Sequence, residues 1–240
     1  MATFVLVHGA WHGSWCWKRV RKALYAQGHD VFTPTLTGVG ERSHLLARNV
    51  NLDTHIDDVV NLIRREELSD VVLCGHSYGG AVISGAASRV ADRIRALVYL
   101  DAFVLEDGES LHDALPPDQR NMQLELTQKH GDGWKVPPIP GEVFNVNAGD
   151  LAWVNRQCTV QPLATFQQPL KLEGKGVVKN AAFILASGWS GSPFPAFYER
   201  AKIKGWQTLT IPCGHDVMLD RPDELTKALL DIAAAQPAAH

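Results

Sequence analysis

Residues Val71-Val72-Leu73-Cys74-Gly75-His76-Ser77-Tyr78-Gly79-Gly80 pass from a short apolar run into Gly75-x-Ser77-x-Gly79, and then into a helix-compatible stretch from Ala81 to Val90. This order of strand, tight turn and helix is what a serine nucleophile requires. Its hydroxyl has to be presented on a strained strand-to-helix turn, and glycines two before and two after it leave room for the backbone to cross. N–H groups at the start of the helix then point toward negative charge developing on a substrate oxygen. A G-x-S-x-G match alone is weak, because an ordinary turn serine can carry one by chance. The buried-strand run before it and the small-residue helix after it supply the context that makes it specific. Ser77 is therefore the candidate nucleophile.

Outward from this turn, strand-like and helix-like segments alternate, the pattern of a mainly parallel sheet flanked by helices. Phe4–Val7, Val31–Pro34, Val71–Cys74, Ala96–Leu100, Ala182–Leu185 and Thr208–Ile211 read as six strands. Ser14 is positioned to cap a helix running to about Gln27, with Gly28 as its stop signal. Asp53 is placed to cap a helix whose Ile56, Val59, Val60 and Ile63 recur at i, i+3, i+4 and i+7. Asp220 to Ala235 reads as the last helix, with Pro222 in its first turn. The alternation breaks once, over about 104–177. That stretch holds seven of the 13 prolines together with Trp134, Phe144, Trp153 and Phe166. Prolines argue against sheet strands and aromatics against disorder, so the segment reads as a cap inserted over the site in a single domain spanning 1–240.

Composition excludes several classes. At 240 residues and 45% hydrophobic content the chain can bury one large core. A net charge of −3 gives no basic field, and Lys18-Arg19, Arg21-Lys22 and Arg64-Arg65 fall on solvated helix faces, which argues against nucleic acid and anionic membrane partners. No secretory leader or apolar run long enough for a bilayer is visible, so a cytoplasmic protein is expected. Cys16, Cys74, Cys158 and Cys213 lack paired spacing and suit reduced, mostly buried thiols, with Cys74 a packing residue.

A second constellation, His8-Gly9-Ala10-Trp11-His12-Gly13, follows the first strand directly. A serine hydrolase needs an oxyanion donor from this loop to pair with the N–H of the residue after the nucleophile, which assigns the hole to Ala10 and Tyr78. His8 and His12 have no carboxylate or thiol at ligand spacing, so no metal is expected and a structural or pocket-lining role is favoured. Trp15 and Trp17 read as core; Trp11, in the loop itself, is the better pocket candidate. The general base should be a histidine after the last strand. His215 follows Thr208–Ile211 and the Pro212-Cys213-Gly214 turn and precedes the final helix, whereas His112 and His130 fall in the inserted segment and His240 at the terminus.

Phe4-Val5-Leu6-Val7-His8-Gly9-Ala10-x-His12-Gly13-x-Trp15-x-Trp17, the Gly75-His76-Ser77-x-Gly79-Gly80 elbow and Gly214-His215-Asp216-x-Met218 together resemble the compact α/β-hydrolases. More narrowly, they resemble the branch with plant methyl-salicylate esterases, hydroxynitrile lyases and small bacterial carboxylesterases. The likeness spans nearly the whole chain except the inserted segment. It implies an α/β-hydrolase fold with a six-stranded, mainly parallel sheet, no cofactor, and a Ser-His-acid triad. In the lyases of this branch a threonine follows the oxyanion-loop histidine and a lysine follows the catalytic histidine. Here Gly9 and Asp216 stand at those positions, which favours ester hydrolysis over cyanohydrin cleavage.

The acid departs from the branch's pattern, which places it after the strand Ala182–Leu185; without gaps, Trp189 occupies that position. Haloalkane dehalogenases, among other α/β-hydrolases, carry the acid at the end of the strand after the nucleophile helix. In this chain that strand ends in Asp101, with Glu199, Asp216 or a water-mediated substitute as the alternatives. A charged residue at a buried strand end needs a partner, and the His215 Nδ1–H would be one, although Asp101 could instead cap the turn into Ala102-Phe103.

The expected chemistry is acyl transfer through an acyl-enzyme on Ser77, with Trp11, Tyr78 and Phe103 lining an apolar pocket for a small, largely apolar ester. A lactone hydrolase, a lyase-like enzyme or a slow, receptor-like binding protein on the same scaffold are the rival readings. The sequence leaves the acyl and alcohol groups open, and equally the oligomeric state, a homodimer included.

Overall fold

The computed structural model describes residues 1–174 and 178–235. Its centre is a six-stranded sheet formed by β1 (Thr3–Val7), β2 (Asp30–Phe32), β3 (Val71–His76), β4 (Ile94–Leu100), β7 (Ala181–Ala186) and β8 (Gln207–Ile211), in the spatial order β2-β1-β3-β4-β7-β8. Every pairing in it is parallel, so the sheet is wholly rather than mainly parallel. All residues of β3 and β7 are buried, as expected of strands covered on both faces.

Helices α1 (Lys18–Ala26), α2 (Leu52–Arg65), α3 (Gly79–Arg89), α8 (Pro195–Ile203), α9 (Val217–Asp220) and α10 (Pro222–Ala234) flank the sheet, α1 packing on α10 and α2 on α3. In α2 the predicted apolar stripe is buried, each such side chain contributing about 1.5–3 kcal/mol. Its cap is Asn51 rather than Asp53. The Asn51 carboxamide accepts from the Thr54 N–H while Thr54 reaches back to the Asn51 N–H, a reciprocal pair that Asp53, already inside the first turn, cannot form. Two further expectations are corrected. Residues Ser14–Trp17 form a separate 3-10 turn, without a side-chain cap, before α1, and the last helix, with Pro222 in its first turn as expected, starts at Pro222 and not at Asp220, which closes α9.

Between β4 and β7 lie α4 (Leu111–Ala114), α5 (Pro117–His130), β5 (Lys135–Val136), α6 (Leu151–Gln157), β6 (Gln161–Pro162) and α7 (Ala164–Gln167). Despite its prolines this stretch contains a small antiparallel pair, β5 with β6, in which Pro162 itself takes part. Two-residue strands expose enough edge to tolerate a missing donor. The end proposed for this segment, at 177, lies outside the described residues, as does His240.

Strand order decides where a site can form. From β1 the chain goes to β2 on one side, then crosses to β3 on the other, so the connections diverge above the carboxyl ends of β1 and β3. Such a switch point leaves a crevice, and both the His8–Gly13 loop and the Ser77 turn open into it.

Candidate active site

Ser77 stands immediately after β3 with φ +53°, the left-handed region that non-glycine residues rarely adopt. The turn is over-determined. The Ser77 N–H donates to the Leu100 carbonyl, its own carbonyl accepts from the Gly80 and Phe103 N–H groups, and a Cβ on Gly75 would collide with the Gly79 carbonyl. Strain of this kind, about 1–3 kcal/mol, persists only where the surroundings enforce it. Packing on the other side is equally close: a Cβ on Gly9 would come within 2.9 Å of Ser77 Cβ and 2.8 Å of His76 Nδ1.

His215 follows β8, and its Nδ1 lies 2.6 Å from Asp101 Oδ2. Asp101, at the end of β4, has φ +42°, donates its N–H to Ile184 O, and accepts the Ala186 N–H on Oδ1 at 3.1 Å. Both carboxylate oxygens thus have partners. The imidazole is enclosed by rings, stacked on Phe194 at 5.1 Å and flanked by Trp189 at 4.8 Å, Phe144 at 5.1 Å and His76 at 4.4 Å. Burial pushes the Asp101 carboxyl well above the ordinary carboxylate range, and pushes His215 down to about 4. At neutral pH the imidazole is therefore uncharged, its Nδ1 proton held in the short bond to Asp101. Trp189, which stands where the branch's acid was expected, covers the His215 ring instead.

The Ala10 and Tyr78 N–H groups have no acceptor among the described residues. Both residues border one cavity of about 500 Å³ together with Ser77 and His215. Tyr78 is anchored through its hydroxyl, 2.9 Å from His55 Nδ1, while His55 Nε2–H donates to Thr37 O at 2.8 Å. Burial lowers His55 to about 4, consistent with that neutral tautomer. Trp11 and Phe103 line the cavity, as do Phe144, Phe166 and Phe194. Trp11 has φ +64° and is held from the inserted segment: its N–H meets Gln161 Oε1 at 3.0 Å, its carbonyl accepts from Thr159, and its indole N–H meets Val136 O at 3.2 Å.

The two histidines of the first loop serve different ends. His8 donates Nδ1–H to Gly9 O at 2.7 Å and accepts the Leu36 N–H on Nε2 at 3.0 Å, and burial lowers it to about 3. His12 faces acceptors on both nitrogens, Ala10 O at 2.7 Å and Asp216 Oδ2 at 3.1 Å. Burial alone would lower it, but Asp216 outweighs that and raises it, while His12 holds Asp216 well below the usual carboxylate range. Asp216 therefore pairs with His12 and not with His215 Nδ1. Glu199, the other alternative acid, is in α8 and bonds Lys202 at the surface. No cluster of three or more metal-ligating side chains occurs among the described residues.

The histidine–carboxylate contact joins the ends of β4 and β8, beside a serine turn at the end of β3 and a donor loop after β1, and residues 4–228 match the alpha/beta hydrolase family. The chain belongs to that family. A carbendazim hydrolyzing esterase of Nocardioides sp. (strain SG-4G) is 52% identical over 95% of this chain and 98% of its own length. A putative chloroplastic methylesterase 14 of Arabidopsis thaliana is 26% identical, covering 96% of this chain and 71% of its own. Among solved structures, an extracellular α/β-hydrolase from a Paenibacillus species superposes with a TM-score of 0.85 at 22% identity, over 98% of this chain and 100% of that one, a likeness of fold.

Proposed function

We propose that this α/β-hydrolase is a serine carboxylesterase acting on small-alkyl esters, carbamates included, of flat aromatic ring systems. The ester-hydrolase class follows from the esterase relatives, above all the 52% identical carbendazim hydrolyzing esterase. One observation carries the narrower substrate class: the 500 Å³ cavity beside Ser77 is walled by Trp11, Phe103, Phe144, Phe166, Trp189 and Phe194. Such walls favour a planar apolar group, and among the described residues no lysine or arginine lines the cavity to pair with an anionic one.

In this mechanism His215 Nε2 takes the Ser77 proton as Oγ attacks the acyl carbon, and the Ala10 and Tyr78 amides receive the oxyanion. His215 returns the proton to the departing alkoxide, releasing a small alcohol and leaving an acyl- or carbamoyl-serine. Water, deprotonated by His215, then frees the acid; a carbamic acid goes on to lose carbon dioxide and give the amine. Asp101 fixes the imidazole tautomer and stabilises its charged form. The segment between β4 and β7 acts as a cap, and the four free cysteines suit a reducing, cytoplasmic setting.

Methanol release from a series of methyl benzoates, methyl N-aryl carbamates and methyl alkanoates tests the assignment. The expected order places the aromatic substrates at least tenfold above alkanoates in kcat/KM. Equal turnover across the series would overturn the aromatic preference, and no turnover of any ester would overturn the function.

A further inference from the structure

The buried pair His12–Asp216 lies outside the proposed proton relay, yet it touches both of the loops that relay depends on. His12 is in the loop after β1 and Asp216 directly follows His215, 204 residues away in sequence. Isolated, either charge would be costly in this interior, where both side chains are almost wholly enclosed. His76 beside them does not share the charge: burial keeps it neutral, and its Nε2–H donates to His215 O at 3.0 Å. What distinguishes His12 is its second contact. Its Nδ1–H is bound 2.7 Å from the carbonyl of Ala10, a residue that borders the cavity and whose N–H has no acceptor among the described residues, and the intervening Trp11 is held at φ +64°. Gln161 occupies the Trp11 N–H, whereas the Ala10 N–H has no acceptor among the described residues.

We propose that His12 is a positioning residue for the oxyanion hole: its Nδ1–H fixes the Ala10 carbonyl, on the peptide that follows the one carrying the Ala10 N–H, while His8 holds the Gly9 carbonyl of that preceding peptide and Asp216 holds the His12 ring through Nε2. This rests on the assignment of Ala10 as an oxyanion donor. The strained Trp11 backbone gives the loop a reason to relax if the contact is lost, and relaxation would turn the Ala10 N–H away from the developing charge. Asp216 then has a defined task at the position next to the general base. It locks the orientation of His12 and ties the donor loop to the histidine loop.

Two substitutions separate the functions of the ring. Asn places its amide nitrogen where Nδ1 lies, and Gln places its own near Nε2. Each is made alone and in the Asp216→Asn background, where loss of the ring leaves no unpaired carboxylate at position 216. With a methyl benzoate as substrate, His12→Gln should lower kcat about 10- to 100-fold with KM within about threefold, because a misdirected donor forfeits much of what an oxyanion contact supplies. A trifluoromethyl ketone, which becomes a tetrahedral adduct on Ser77, should weaken by a similar factor. His12→Asn in the Asp216→Asn background should recover kcat to within about threefold of Asp216→Asn alone, as expected if the Ala10 contact is what matters. Equal losses for Asn and Gln in that background, or an unchanged kcat in both Gln variants, would overturn the proposal. Failure of the proposed serine-esterase function looks different: the wild-type enzyme would then show no Ser77-dependent turnover or ketone adduct at all.

Discussion

At the scale of single residues, the site is governed by what surrounds each polar atom. The aromatic enclosure that lowers His215 to about 4 leaves the imidazole ready to accept a proton at any ordinary pH. The acid limb of kcat/KM, which reports the free enzyme, should therefore fall near pH 4 and not near 6.5, with activity lost as pH drops through that value. A limb at 6.5 would show that the enclosure does not act on the resting base. Asp101→Asn should lower kcat by about 10³- to 10⁴-fold with little change in KM, by favouring the wrong tautomer. Glu199→Gln, on a surface pair, should leave turnover unchanged. Gly9 bears on the reaction type, because a threonine there has no room beside Ser77 Cβ and His76. Cyanide release from a cyanohydrin should accordingly stay at the uncatalysed rate, and Ser77-dependent release above it would contradict the ester-hydrolase reading. As candidates, Ser77, His215 and Asp101 stood out in the sequence because each closes a recognisable strand or follows one within a short turn. The His12–Asp216 pair could not, since an ion pair between loops 204 residues apart leaves no periodic trace.

At the scale of elements, the sequence pattern located all six central strands to within two residues at either end; the inner strands, covered on both faces, read as continuous hydrophobic segments, while the edge strands β2 and β8 are only partly buried. Caps were harder to read. Asn51, Asp53 and Thr54 are all plausible by residue type, and only the reciprocal hydrogen bonds decide for Asn51. The inserted segment was legible as an interruption but not in detail, since short helices and two-residue strands are set by tertiary contacts. One of these contacts reaches the site: Gln161, on β6, joins the Trp11 N–H to Thr165. Asn51→Ala and Gln161→Ala should each destabilise the fold by about 1–2 kcal/mol in urea titrations. Only Gln161→Ala should also lower kcat, because only it touches the loop carrying Ala10. An equal effect of both on kcat would detach the inserted segment from the chemistry.

At the scale of the whole molecule, the buried histidines set the pH range in which the fold holds. His8, His55 and His215 are lowered to about 3, 4 and 4, so between pH 6.5 and about 4 the unfolded chain binds protons that the folded one refuses. Their contribution, to which the lowered His76 adds, is intact above pH 6.5 and is lost as pH falls toward 4; His12, raised by Asp216, and Asp101, raised by burial, run the opposite way. Calorimetry should show Tm falling steadily across that interval, and a flat Tm would contradict the buried, neutral assignments. The strand order brings loops distant in sequence to a single crevice, and the proposed chemistry there passes through a covalent bond to Ser77. It is tested most directly by acid-quenching the enzyme during turnover of an aryl acetate and mapping the acetylated peptide by mass spectrometry. One acetyl group is expected, on Ser77, and none in Ser77→Ala; steady turnover with Ser77 unmodified and the alanine variant fully active would rule out the covalent route.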